Sequence, residues 1–281
     1  MIIAVCGDKG SPGVTTLATV LSMVWPYECV LAEMDTSGGD LAFRLHHGTG
    51  IGRMLAPEPT VLSLAAAARS GVAHRSLPDY AQLTSLGLPV VVGVGSAEAF
   101  APMGRLWPTV ATEVARWPGT VVADLGRLQP GNPAAAVAQA AAAVLLVGRP
   151  TLEGLYHLRE RAVEVARLVG DPARGRTPVG VVMVCPLRQE RKVVAEVNQM
   201  LEAAGSPAQV VGVLAEDGAG VEALWAGAVT RRLTGSDLLG SARAVAETLI
   251  GRWPRLGGSR PRAWNQAEPA NPLAAAMGRT R

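Results

Sequence analysis

The chain has 281 residues, 49% of them hydrophobic, enough for one large α/β domain or two small ones. Its formal charge of +3 is too small to imply a partner. Cys6, Cys29 and Cys185 lie far apart without metal-ligand spacing, so neither a disulfide framework nor a cysteine-bound zinc is expected. No apolar run reaches the roughly 18 residues of a membrane span. The longest, Ala134 to Val147, is broken by Gln139. There is no basic leader before an apolar stretch, and the expectation is a soluble cytoplasmic chain with reduced thiols.

Apolar runs alternate with helical stretches along the chain. Strands are expected at Ile2–Cys6, Cys29–Met34, Pro89–Val94, Thr120–Asp124, Ala143–Val147, Val179–Val184 and Gln209–Val213. The runs are nearly continuous rather than alternating, as in parallel strands covered on both faces. Helices are expected at Thr15–Val24, Thr60–Arg69, Ala97–Arg116, Pro133–Ala142, Leu152–Val169, Arg188–Ala204, Val221–Ala228 and Leu238–Trp253. Thr151 reads as an N-cap and Gly170 as a helix stop. The class is α/β: a mostly parallel sheet of roughly seven strands, flanked by helices on both faces, over residues 1–253. From Pro254 to Arg281 the composition turns to Pro, Gly, Arg, Ser and Asn, which reads as a basic, disordered tail.

The most informative stretch is the first sixteen residues. An apolar strand meets a Gly- and Pro-rich turn, and Thr15-Thr16 opens a helix. Such a turn aims backbone N–H groups at one spot, and the helix dipole adds positive potential there. The turn also holds Lys9, one of only two lysines in the chain. Open α/β sheets bind ligands at the carboxyl ends of their strands. Other polar strand ends carry Glu33 and Asp35, then Asp124, then Arg149. Carboxylates beside a phosphate cradle suggest Mg²⁺, held by Asp124 and the Thr15 hydroxyl, with Asp35 orienting an attacking water. Adjacent His46 and His47 point apart on any regular element, and a solvated turn is the simpler reading.

Lys9-Gly-Ser-Pro-Gly-Val-Thr-Thr16 resembles the deviant Walker A loop of the ParA/MinD-type ATPases, K-G-G-x-G-K-T-T. Glu33 to Leu41 looks like the switch segment of that family, with Asp35 at its second acidic position. Val121 to Gly126 looks like its Walker B strand. Pro150 to Glu153 and Val211 to Asp217 look like its later segments. The resemblance spans residues 1 to 250, and within the family it is nearest the divergent MinD-like proteins of pilus and secretion loci (TadZ/CpaE-like). It implies a P-loop NTPase-like fold that binds ATP and Mg²⁺. Gly10, Ser11, Gly13, Val14, Thr15 and Thr16 would hold the nucleotide. Lys9 and Asp35 would be catalytic, with Lys9 reaching across a nucleotide-dependent homodimer. It further implies a protein partner or cargo, with DNA or anionic membrane contacted through the basic tail. The protein would be recruited from the cytoplasm to membrane, nucleoid or cell pole.

The loop departs from that pattern. Val14 stands where the family's second lysine holds the phosphates, and a lost charge-assisted hydrogen bond costs roughly 1.5–3 kcal/mol, about 10- to 150-fold in affinity. Pro12 has no N–H to offer. Asp8 stands at the first glycine of the general P-loop pattern and brings a charge near the anion. Cys185 stands where an adenine-contacting Asn is usual. Arg149 either restores the missing charge or lies at the sheet edge in water. Two functional classes follow. One is a nucleotide-switched positioning ATPase, weakly binding and at most slow. The other is a degenerate pseudo-ATPase that keeps the fold as a scaffold.

Overall fold

The computed structural model describes residues 1–9, 12–50, 52–70, 76–171 and 175–258. Ten strands follow in chain order: β1 Ile2–Gly7, β2 Cys29–Glu33, β3 Gln82–Leu83, β4 Pro89–Val91, β5 Thr120–Arg127, β6 Ala143–Gly148, β7 Gly170–Asp171, β8 Gly175–Arg176, β9 Val179–Cys185 and β10 Gln209–Ala215. Eight of them form one sheet in the order β10-β9-β6-β1-β5-β2-β4-β3. All neighbours in it are parallel except the β3–β4 pair at one edge. β7 and β8 pair antiparallel with each other alone.

All seven expected strands are present. The edge strand β3 and the β7–β8 pair were not expected, because two residues carry no periodicity to read. The expected helix Ala97–Arg116 is broken into Ala97–Phe100, a 3-10 turn Ala101–Met103 and Trp107–Arg116. Pro102 lies in that turn and removes a donor from any continuous helix. Short helices Leu41–Arg44 and Arg231–Thr234 add to the expected set. Thr151 caps its helix as expected, accepting from Gly154 N at 3.1 Å. Gly170 directly follows the last capping residue, Val169, and opens β7.

β1 is buried along its whole length because each face meets a different helical layer. Ile2, Ala4 and Cys6 join the core beneath helices Val61–Ser70, Trp107–Arg116, Leu152–Leu168 and Glu190–Ala203. Ile3 and Val5 join the opposite core, under helices Val14–Val24 and Asp237–Arg252. The latter buries Leu238, Ala242, Val245 and Leu249, a stripe at helical spacing. Of the stretch 254–281, the 3-10 turn Pro254–Leu256 is described, with Leu256 buried. Residues 259–281 of the proposed tail lie outside the described residues.

The strand order reverses beside β1. From β1 the chain moves toward β2 and β4, and from β5 it crosses back to β6, β9 and β10. Loops leaving neighbouring strands therefore part there, opening a crevice at the carboxyl ends of β1, β5 and β2.

Candidate functional site

Gly13 is the N-cap of the helix Val14–Val24 and has φ 107°. Glycine adopts that left-handed backbone at no steric cost, which makes the tight turn possible. Among the described residues no side chain caps this helix, and its first turn holds no acidic residue. Among the described residues its leading N–H groups have no side-chain acceptor, which leaves their positive potential for an anion. Gly10 and Ser11 lie outside the described residues.

A cleft of about 560 Å³ opens over this turn. It is lined by Pro12, Gly13, Val14, Thr15 and Thr16 from the turn, Asp35 beyond β2, and Asp124 of β5. Val14 and Thr15–Thr16 thus share one cleft with both aspartates, as the spacing suggested. Lys9 does not share it: it is exposed and lines an adjoining cleft of about 280 Å³ with Arg149, His157 and Arg161.

Where the sequence departs from the P-loop pattern, the side chains pack into the core. Pro12 and Val14 are both buried and pack over Gly7. A Cβ on Gly7 would lie 2.9 Å from Val14 Cγ2 and 3.2 Å from Pro12 Cγ. Apolar packing thus occupies the position at which the resemblance would place a lysine.

Asp124 is 1% exposed. Its Oδ1 accepts from Gly126 N at 2.9 Å, while Oδ2 has no hydrogen-bond partner among the described residues. Burial raises its pKa to about 6, opposed by the nearby Thr15 hydroxyl and the Gly126 amide. The hydroxyl acts through proximity, since it makes no hydrogen bond of good geometry to Oδ2. Asp35 is also raised, chiefly by burial, and its Oδ1 accepts from Ser37 N at 2.8 Å. Its carboxylate lies against Gly126, where any Cβ would overlap it.

Glu33 is a different kind of residue. It is 2% exposed, and its two oxygens accept from Leu41 N and Gly93 N, each at 2.9 Å. It thereby ties the 35–40 segment to the chain leaving β4. A Cβ on Gly39 would overlap the carboxylate, so the segment closes over Glu33 only with glycine there. Burial raises the Glu33 pKa to about 7.

Glu33 and Asp124 bind their protons more tightly in the folded chain than in the unfolded one. Between the ordinary values of 4.5 and 3.8 and the folded values near 7 and 6, the folded chain keeps protons that the unfolded chain has lost. Stability should therefore fall as pH rises across that window, by about 3 kcal/mol for each group. Urea titrations of the ligand-free protein at pH 5 and pH 8 check this; equal midpoints would show that neither carboxyl is strained when ionised.

Asp8 does not hold its charge toward an anion. Arg161 Nη2 lies 3.2 Å from Asp8 Oδ1, with Arg127 Nε and His157 Nδ1 each 3.7 Å from its carboxylate. Arg149 pairs with Glu216 at 2.7 Å, partly exposed beyond the strand ends, and so takes the sheet-edge place rather than the missing lysine's. His46 is not simply solvated: it packs against Gly227, and its Nδ1 is buried without a partner among the described residues. His47 Nδ1 bonds Thr49 Oγ1 at 2.9 Å. Cys185 ends β9, fully buried.

Sequence reasoning missed the roles of Glu33, Arg44 and Arg127. The last two line the cleft, Arg44 paired with Asp40 at 3.2 Å and stacked over Trp225 at 5.5 Å. A signal for Arg127 was available: it follows Asp124-Leu-Gly at the same strand end.

The eight-stranded, mostly parallel sheet flanked by helices matches the fold of solved ParA and MinD ATPases. Three solved structures illustrate the likeness. A ParA family ATPase from Chlorobium tepidum matches with a TM-score of 0.66 at 14% identity, covering 88% of this chain and 98% of that one. The septum site-determining protein MinD with Mg-ADP, from Pyrococcus horikoshii, matches at 0.65 and 16%, covering 92% and 99%. A McdA–ATP complex from Cyanothece matches at 0.63 and 16%, covering 88% and 96%. No family model matches the chain, and no curated protein matches it by sequence. Among the described residues, no helix is long and apolar enough to cross a membrane.

Proposed function

We propose that this protein is a ParA/MinD-like positioning protein that binds Mg-ATP weakly, turns it over slowly or not at all, and acts as a nucleotide-dependent homodimer. One observation carries the reading: the Oδ2 of buried Asp124, without a hydrogen-bond partner among the described residues, beside Thr15 at the start of a helix that no described side chain caps. A buried carboxylate oxygen without a partner is costly unless a ligand completes it. Mg²⁺ fits, because it takes oxygen ligands and shares them with substrate phosphates. No group of three or more His, Cys, Asp or Glu among the described residues forms a metal cage, which agrees with an ion that arrives with its nucleotide.

In this reading Asp124 and the Thr15 hydroxyl hold the ion, which supplies charge neutralisation at the phosphates. Gly13, Val14, Thr15 and Thr16 present backbone N–H groups, with Gly10 and Ser11 completing the turn. Asp35, held by Ser37 N, orients a water. Lys9, exposed beside the cleft, is free to meet a second protomer. The weakness follows from Val14, which gives its backbone but no charge. The neighbours add support: one solved structure holds Mg-ADP and another ATP. Recruitment from the cytoplasm to a protein cargo, DNA or an anionic membrane belongs to the same reading, as does a place among the divergent MinD-like proteins of pilus and secretion loci.

Calorimetry with Mg-ATP, paired with light scattering, tests it. The expected result is weak binding that disappears with chelator and a mass that doubles when nucleotide is bound. Absence of heat at millimolar nucleotide would overturn it in favour of a second reading, a pseudo-ATPase scaffold. That alternative draws on the buried packing of Pro12 and Val14 over Gly7.

A further inference from the structure

We propose that Arg127 supplies the cationic contact to the ligand's phosphates that Val14 cannot. The inference rests on the nucleotide reading above and concerns which residue makes that reading chemically possible. The cleft is lined by five carboxylates, Asp8, Glu33, Asp35, Asp40 and Asp124, and by two cations, Arg44 and Arg127. A polyphosphate entering a site with that balance needs a mobile positive charge besides a metal ion.

The other cations near the turn are paired or line the adjoining cleft. Arg44 is paired with Asp40 and stacked on Trp225. Arg161 is 9% exposed and bonds both Asp8 and Glu164, the latter at 2.6 Å. Arg149 holds Glu216. Lys9 faces the adjoining cleft.

Arg127 has the weaker ion pairing by comparison. Its Nε reaches Asp8 only at 3.7 Å, longer than the Arg161 contact to the same oxygen. Its other partner is neutral: the Gln129 amide oxygen accepts from both Nε, at 2.6 Å, and Nη2 of Arg127, bonds that a charged phosphate oxygen outcompetes. Asp8 keeps Arg161 and His157 when Arg127 leaves, so no charge is stranded.

The backbone aims this side chain. β5 pairs Asp124 with Val5 and Arg127 with Gly7, so two residues of β5 stand opposite one of β1 between those pairs. The extra residue is accommodated at Gly126, with φ 55°. Residues three apart on a regular strand face opposite sides. This bulge brings Arg127 round to the cleft that Asp124 lines, a use bulges often serve beside sites.

The test is calorimetry on the full chain with Mg-ATP and, separately, with adenosine. Arg127→Ala should weaken Mg-ATP binding about 10- to 150-fold, the loss of a charge-assisted hydrogen bond. It should leave adenosine binding unchanged, and Arg127→Lys should recover a large part of the loss. Arg127 is partly exposed, its side chain at 44%, so the variant should fold; Arg127→Gln repeats the measurement with the Asp8 side less disturbed. Equal Mg-ATP affinity in the parent and Arg127→Ala, or equal losses for Mg-ATP and adenosine, would overturn the assignment of Arg127 alone. A parent that binds no Mg-ATP would overturn this inference together with the reading it rests on.

Discussion

Asp124→Asn should make the ligand-free protein more stable at pH 8 while removing the Mg²⁺ dependence of nucleotide binding. The two halves have one cause. Asp124 is buried, its pKa is raised to about 6, and its Oδ2 lacks a partner. At pH 8 the folded chain carries that charge at a cost of up to about 3 kcal/mol relative to an ordinary carboxyl. Asparagine keeps the shape and the acceptor for Gly126 N and has no charge to desolvate. It also offers an incoming cation only a neutral amide, so Mg-ATP affinity should drop at least about 10-fold. Denaturant midpoints at pH 8 and calorimetry with and without Mg²⁺ read the two effects. A variant that is less stable and binds Mg-ATP as the parent does would mean that Asp124 serves the fold rather than a ligand.

Val14→Lys should raise Mg-ATP affinity by about 10- to 150-fold and lower stability by about 1–3 kcal/mol. The gain comes from returning a charge to a turn whose N–H groups already converge. The loss comes from where Val14 sits: 7% exposed, in the core under the helix Val14–Val24, with Cγ2 over Gly7. A lysine must leave that packing and lift its ammonium into the cleft. Thermal melts and calorimetry on the same preparation separate the terms. Unchanged affinity with lowered stability would show that Pro12 already holds the turn in a shape that lysine cannot use.

Much of the fold was legible because long apolar runs bounded by Gly, Pro and acidic residues have few alternatives to buried parallel strands. β1, β2, β5, β6, β9 and β10 all fall where composition put them, give or take a few residues at their ends. β3 was illegible because Gln82 and Leu83 form a strand only through pairing with β4. The break at Ala101–Met103 was legible in Pro102 and went unread in a run otherwise rich in helix formers.

For the site, chain order alone placed Thr15, Asp35 and Asp124 together, since each lies toward or beyond the carboxyl end of a strand of one parallel sheet. The partners of those residues could not be read. Asp8 is 153 residues from Arg161, and Glu33 is 60 from Gly93, with nothing in the local pattern to join them. Charge and spacing along the chain specify which groups reach the strand ends. They do not specify which of those groups find partners there, because that depends on long-range packing and a single-residue bulge at Gly126. The acidic residues, the glycine turn and the absent lysine are properties of the chain as written. That Asp8 is paired, Glu33 is bonded, Asp124 keeps an oxygen without a partner among the described residues and Arg127 borders the cleft are properties of the folded molecule, where burial sets the cost of every unpaired charge.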